Sequence, residues 1–149
     1  MPPPVSIVGF GLTKFAEMTI RNDAATVIVT NESVAAVSCA IYCWVIGEEI
    51  VRIGSSNQPL RSRVIGTGRW IEARLRGTAQ ISNPLKLAKE IEDARRWADR
   101  LKEPNLIAEV YGRRGTIAAT PLGDICLYLS EENWLLEKFR PPLNNSHFR

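Results

Sequence analysis

The sequence predicts one small α/β domain, and three observations carry that expectation. The chain has 149 residues, near the size of a single ordinary domain, so it can bury a sizeable core. Apolar residues alternate from Ala40 onward, with Ile41, Cys43 and Val45 on one face of a strand and Tyr42 and Trp44 on the other. Further on, Leu87, Ile91, Ala94, Ala98 and Leu101 recur at four- and three-residue steps, the period of a helix.

At the N-terminus, Pro2-Pro3-Pro4 should run extended, and Val27-Ile28-Val29-Thr30 is a β-branched run long enough for a short strand. Val8-Gly9-Phe10-Gly11 lacks both a third glycine and a lysine followed by Ser or Thr at phosphate-loop spacing, so it reads as a turn. Gly47-Glu48-Glu49 turns the alternating strand into a hairpin. A three-residue loop would pair Ile46 with Ile50 and leave Tyr42, Trp44 and Arg52 together on an open face. A two-residue loop would shift the register by one and send Arg52 to the other face.

Pro59 sits like a first helical residue, opening a short helix through Leu60, Val64 and Ile65 that Gly66-Thr67-Gly68 interrupts before Arg69–Arg76 resumes. Asn83-Pro84 starts the next helix and Glu103-Pro104 ends it. Leu106–Tyr111 has strand composition, Gly112–Gly115 reads as a turn, and Thr120-Pro121 is placed to cap a last helix running to about Arg140.

Composition narrows the function classes. With 45% hydrophobic and 23% charged residues the chain is ordinary globular material. Its longest apolar run, Ala40–Gly47, falls far short of the roughly 20 residues of a membrane span, and Met-Pro-Pro-Pro lacks a signal-peptide pattern. The expectation is a soluble, cytoplasmic protein with no membrane partner. Three cysteines give no disulfide framework, and Cys39 with Cys43 lacks the second ligand pair of a zinc site. The sole histidine, His147, lies at the tail, which disfavours His-rich zinc hydrolysis and a Ser-His-Asp triad. Catalysis would then fall to Glu, Asp, Tyr, Arg or Lys.

The net charge of +3 is unevenly spread: from Arg52 to Arg76 six arginines face one acid, Glu72. That stretch reads either as an anion-binding surface or as a solvated helix face. In the last helix the apolar stripe runs Tyr128, Glu132, Leu135, Leu136, Phe139, with a carboxylate where a hydrophobe would be expected. A half-buried carboxylate needs a cation, a metal ion or hydrogen-bond donors, so Glu132 is either salt-bridged or a metal ligand. Glu131 and Glu137 lie off the stripe as surface charges.

Four segments occur in order: Ala40-Ile41-Tyr42, then Arg52-Ile53-Gly54, then Leu60-Arg61-Ser62-Arg63-Val64, and finally Glu132-Asn133-Trp134-Leu135-Leu136-Glu137-Lys138-Phe139-Arg140-Pro141-Pro142-Leu143-Asn144. Together they resemble the GIY-YIG nuclease family across about 105 of the 149 residues. The resemblance implies a three-stranded antiparallel sheet flanked by helices. It also implies an N-terminal extension over 1–36, a nuclease-like domain over 37–149 and an inserted helix from Pro84 to Glu103. It places Tyr42 near the attacking water, Arg63 at the scissile phosphate, Glu132 on a divalent metal and Asn144 at the edge of the site. Ala40 stands where the family usually has Gly. Arg52 replaces the second tyrosine and is expected to contact phosphate. With Arg63 it should lower the Tyr42 pKa from near 10, making the phenol a usable base. Arg61 competes with Arg63, but the Leu-x-x-Arg-Val context favours Arg63. Residues two apart on a helix point about 200° from each other, so only one can face the site.

The implied activity is an endonuclease that hydrolyses DNA phosphodiesters with Mg²⁺ or Mn²⁺. Cleavage builds negative charge on the phosphate oxygens, which an arginine and one divalent ion are suited to stabilise. DNA contacts are expected from Arg61, Arg69, Arg74 and Arg76, and from Trp44, which would stack on a base or close the core. The alternative is a protein that keeps the fold and binds nucleic acid without turnover. A third reading is a protein-binding module whose arginines meet an acidic partner. Cutting both strands would require sequential nicking or a homodimer.

Overall fold

The computed structural model describes residues 10–144. Pro2-Pro3-Pro4, Gly9 and His147 lie outside them. Among the described residues seven strands form in chain order: β1 (Thr13–Arg21), β2 (Ala24–Val29), β3 (Ala40–Ile46), β4 (Glu49–Ser56), β5 (Ala108–Arg114), β6 (Ile117–Thr120) and β7 (Gly123–Cys126). The first five make one antiparallel sheet in the order β2-β1-β5-β3-β4. The expected three-stranded sheet is therefore five-stranded, because β1 pairs with β5 and continues the sheet into β2. Both added strands come from residues 1–36. The signal for β1 is present in the sequence: Ala16, Met18 and Ile20, all buried, alternate with Glu17, Thr19 and Arg21. Asn22 and Asp23, at φ 51° and 62°, supply the two left-handed residues that a tight β1–β2 turn requires.

The β3–β4 hairpin differs from the three-residue loop. Ile46 pairs with Glu49, so Gly47 and Glu48 alone form the turn, Gly47 taking φ 63°. Such a loop would put Arg52 on the wrong face, yet Arg52 still lies opposite Trp44. A bulge restores the register: Val45 pairs with Ile50 and Trp44 with Arg52, leaving Val51 as the extra residue. Tyr42, Trp44 and Arg52 thus share a face by a different route from the one expected.

Among the described residues four helices form: α1 (Glu32–Ala35), α2 (Leu60–Arg76), α3 (Pro84–Arg100) and α4 (Tyr128–Phe139). The expected break at Gly66-Thr67-Gly68 is absent and α2 is continuous. Gly68 is there for packing, since a Cβ on it would lie 2.8 Å from Val27 Cγ2. The α3 start is as expected, with the Asn83 side chain accepting from the N–H groups of Leu85 and Lys86. Gly112–Arg114 stay in β5 rather than turning. Thr120-Pro121 caps no helix, because it lies at the turn of the β6–β7 hairpin, where Thr120 Oγ1 donates to the Gly123 carbonyl at 2.6 Å.

Helices α2 and α3 cover one face of the sheet, over a core that includes Phe15, Met18, Tyr42, Trp44, Val64, Ile71 and Trp97. Helix α4 covers the other face at the β3–β4 end, where Leu135 and Leu136 meet Ile41, Cys43, Val45 and Ile53. The face carrying Tyr42 and Trp44 is therefore closed by helices, not open. Trp44 is fully buried and packs edge-on against Trp97 with ring centroids 5.2 Å apart. It is a core residue and offers no ring to a base; truncating such a ring costs about 3–5 kcal/mol. Among the described residues no helix is long and apolar enough to cross a membrane.

Candidate active site

The pairing of β3 with β4 sets Tyr42 opposite Gly54. A Cβ on Gly54 would lie 2.5 Å from both Cζ and Oη of Tyr42, so the phenol crosses directly over this glycine. The arrangement explains why a glycine follows Arg52-Ile53, which tripeptide likeness alone does not. Two residues earlier, Arg52 reaches the same phenol with a hydrogen bond, and its Nη1 donates to the Leu143 carbonyl at 3.3 Å. Arg63, in the first turn of α2, joins Tyr42 and Arg52 in lining a cavity of about 710 Å³. Asn57 and Gln58 form its lip, while Trp70 from α2 and Asp93 and Trp97 from α3 line the rest.

Burial pushes the Tyr42 phenol up, and the charge of Glu132 pushes it the same way. The charges of Arg52 and Arg63, with the Arg52 hydrogen bond, pull it down without overcoming burial, so the net shift is upward. The expected lowering does not occur. Desolvation of a side chain only 3% exposed outweighs two guanidinium groups that themselves reach solvent. At neutral pH Tyr42 is therefore a neutral phenol held by Arg52.

Glu132 is half-buried in the first half of α4 and close enough to Tyr42 to act on its ionisation. Among the described residues it has no salt bridge, which removes the ion-paired alternative there. Its neighbour is the paired one. Glu131, expected as a plain surface charge, accepts from Arg113 Nη2 at 2.6 Å, Thr116 N at 2.7 Å and Thr116 Oγ1 at 2.9 Å. Burial works to raise its pKa, but these donors and the Arg113 charge hold it below the usual carboxylate range. The Glu131 network escaped the helical-stripe reading because its partners lie on β5 and in the following turn.

Asn144 is almost completely buried at the free edge of β4. Its Oδ1 accepts from Ile53 N at 2.8 Å and its Nδ2 donates to Ile53 O at 2.7 Å, so one side chain substitutes for a neighbouring strand. Leu143 N donates to Val51 O at 2.8 Å beside it. Arg96 of α3 donates to the Pro142 carbonyl at 3.2 Å, tying the segment to α3. The segment after α4 thereby positions the carbonyl that Arg52 grips.

The remaining arginines separate from the site. Arg61 ion-pairs with Glu32 at 2.8 Å on the exposed side of α2, so of this pair it is Arg63 that lines the cavity. Arg74 stacks 4.6 Å from the Trp70 ring centroid and pairs with Glu90 at 2.9 Å, so this partly buried group is engaged inside the protein. Arg69 and Arg76 are exposed and do not line the cavity. Sequence reasoning missed Gly54, Asn57, Gln58 and Asp93. Only Gly54 had a signal, its place in the second tripeptide; the others come together through the folding of α3 over β4.

No family model matches the chain, and no curated protein matches it in sequence. Among solved structures, it is similar to a mutant form of EndoII of bacteriophage T4, with a TM-score of 0.58 and 20% identity over 92% of this chain and 94% of that one. A restriction endonuclease, HPY188I, in complex with product DNA, gives a TM-score of 0.48 and 18% identity over 91% of this chain and 79% of that one. At these identities the likeness to EndoII is one of fold: an α+β architecture running nearly the full length of both chains.

Proposed function

We propose that the protein is a metal-dependent DNA endonuclease of the GIY-YIG type, hydrolysing phosphodiester bonds with Tyr42, Arg52, Arg63, Glu132 and Asn144. The observation that carries this reading is convergence: Tyr42, Arg52 and Arg63 line one cavity, and Glu132 is near enough to influence the Tyr42 phenol. The fold shared with EndoII accords with it.

The residues fit a hard divalent cation. Glu132 is a half-buried carboxylate with no salt bridge among the described residues, and Mg²⁺ is commonly held by one or two carboxylates with water and substrate phosphate completing its shell. Glu132 would hold the ion. When bound, Mg²⁺ or Mn²⁺ supplies positive charge for the phosphate and leaving oxygens.

The chain's own residues do the rest. Arg63 presents its fork to the non-bridging oxygens, where charge grows in the transition state. Arg52 stands where a second phenol is usual; anchored to the Leu143 carbonyl, it orients the Tyr42 hydroxyl and adds a second cation beside the phosphate. Tyr42 orients the attacking water. In the fraction ionised to phenolate, its own proton already lost to solvent, it takes a proton from that water as the water oxygen bonds to phosphorus and the leaving oxygen departs to be protonated by solvent. Asn144 keeps β4 in place beneath them.

The deciding experiment incubates supercoiled plasmid with the full chain in Mg²⁺, Mn²⁺ or EDTA, beside Glu132→Gln. Nicking that needs the metal and is lost in the variant is expected. Binding without cutting under every condition would instead mark a retired site that only holds nucleic acid.

A further inference from the structure

The cavity is larger than the chemistry requires. About 710 Å³ exceeds what one phosphate and its waters fill, and lies within the range of roughly 300–1,000 Å³ that receives small organic groups. Its two ends differ in character. Arg52, Arg63 and Tyr42 form one end. At the other stands Trp70, two turns along α2 from Arg63, roughly 10 Å away at the helical rise.

Trp70 is held in a fixed orientation. Its Nε1 donates to Glu90 at 3.1 Å, and the Arg74 guanidinium lies against its ring at 4.6 Å. A half-buried indole so braced is a ready platform for stacking, at little cost in side-chain entropy. On the cavity lip, Asn57 and Gln58 are exposed, and among the described residues no hydrogen bond engages either side-chain amide. Amides offer both donors and acceptors, the groups that pair with base edges.

Cations and exposed amides between Arg52 and Arg63, with a braced aromatic two turns further along α2, match the two chemistries of a single nucleotide. We propose that this cavity receives an unstacked nucleobase of the substrate strand while Arg63 holds the adjoining phosphate. The proposal rests on the endonuclease reading and names its substrate class: DNA with an unpaired base. Unpairing a base out of intact duplex costs free energy, least where the base is already bulged or single-stranded. Stacking on Trp70 offsets that cost most completely for such substrates.

The test uses the full chain in EDTA, titrated with two duplexes of one sequence, one fully paired and one carrying a single bulged 2-aminopurine. The bulged duplex is expected to bind roughly tenfold more tightly, about 1.4 kcal/mol, with 2-aminopurine emission quenched on binding. Trp70→Leu should bring the two affinities to within about twofold and abolish the quench, while Trp70→Phe keeps both. Should Trp70→Leu fail to fold by circular dichroism, the exposed double variant Asn57→Ala/Gln58→Ala decides, and it should reduce the preference. Equal, salt-sensitive binding of the two duplexes overturns the base cavity alone. A preference that survives in a folded Trp70→Leu, or in the double variant where that one decides, overturns it as well. Failure to bind either duplex overturns the endonuclease reading and this proposal with it.

Discussion

Two arginine sites on opposite faces of the same sheet end make opposite use of the same side chain. On the α4 side, Arg113 is closed off: Nη2 meets Glu131 at 2.6 Å, Nε donates to the Phe10 carbonyl at 2.7 Å and Nη1 to the Arg114 carbonyl at 2.8 Å. On the α2 side, Arg63 has no carboxylate partner among the described residues, and Arg52 spends its bonds on a phenol and a carbonyl. Adjacent carboxylates on α4 divide too: Glu131 is bound to Arg113, while Glu132 has no salt bridge among the described residues and acts on Tyr42 through its charge. A saturated guanidinium stabilises the fold; an unsaturated one beside a cavity keeps its charge for a ligand.

The sharpest way to break this comparison is to delete one arginine from each site. Arg63→Ala should lower the plasmid-nicking rate by roughly 100- to 1,000-fold, the effect of losing one preorganised charge donor, and leave thermal melting almost where it was. Arg113→Ala should do the reverse, lowering the melting temperature while the folded protein still nicks. Nicking and melting curves on both variants check it, and a stable, inactive Arg113→Ala would show that the α4 site is not merely structural.

A second test concerns the raised pKa of Tyr42. Below that pKa the phenolate fraction grows about tenfold per pH unit, so single-turnover nicking limited by this proton should climb steadily from pH 6 to pH 9. Tyr42→Phe should lose the slope along with most of the rate. If wild type and variant share one profile, Tyr42 does not move the proton.

The smallest effect belongs to Glu131. Its carboxyl titrates below the usual range, so its bonds stabilise the fold above about pH 4.5 and are lost as the pH falls through the lowered value. Glu131→Gln should therefore melt at a lower temperature than wild type at pH 7, with the gap shrinking in acid. A gap that persists at pH 3 would point to shape rather than charge.

Part of the candidate site's geometry was legible in the sequence. The family resemblance, through the Leu-x-x-Arg-Val context, points to Arg63, which lines the cavity, and Glu132 stands out as a carboxylate interrupting an apolar stripe. Tyr42 with Arg52 on one face follows from strand alternation, although the loop argument behind it was replaced by a bulge at Val51. The five-stranded sheet was partly legible too, in the alternation of Ala16, Met18 and Ile20.

What the sequence determined by itself is what local periodicity encodes: the β3 and β4 faces, the capped start of α3 and the charge excess between Arg52 and Arg76. Tertiary structure alone decided which charges remain available, because pairing depends on distances between residues far apart in the chain. It joined Arg61 to Glu32, Arg74 to Glu90 and Arg113 to Glu131, and it left Arg63 facing the cavity. It also buried Trp44 under Trp97, a contact between a strand and a helix more than fifty residues apart that no local pattern records.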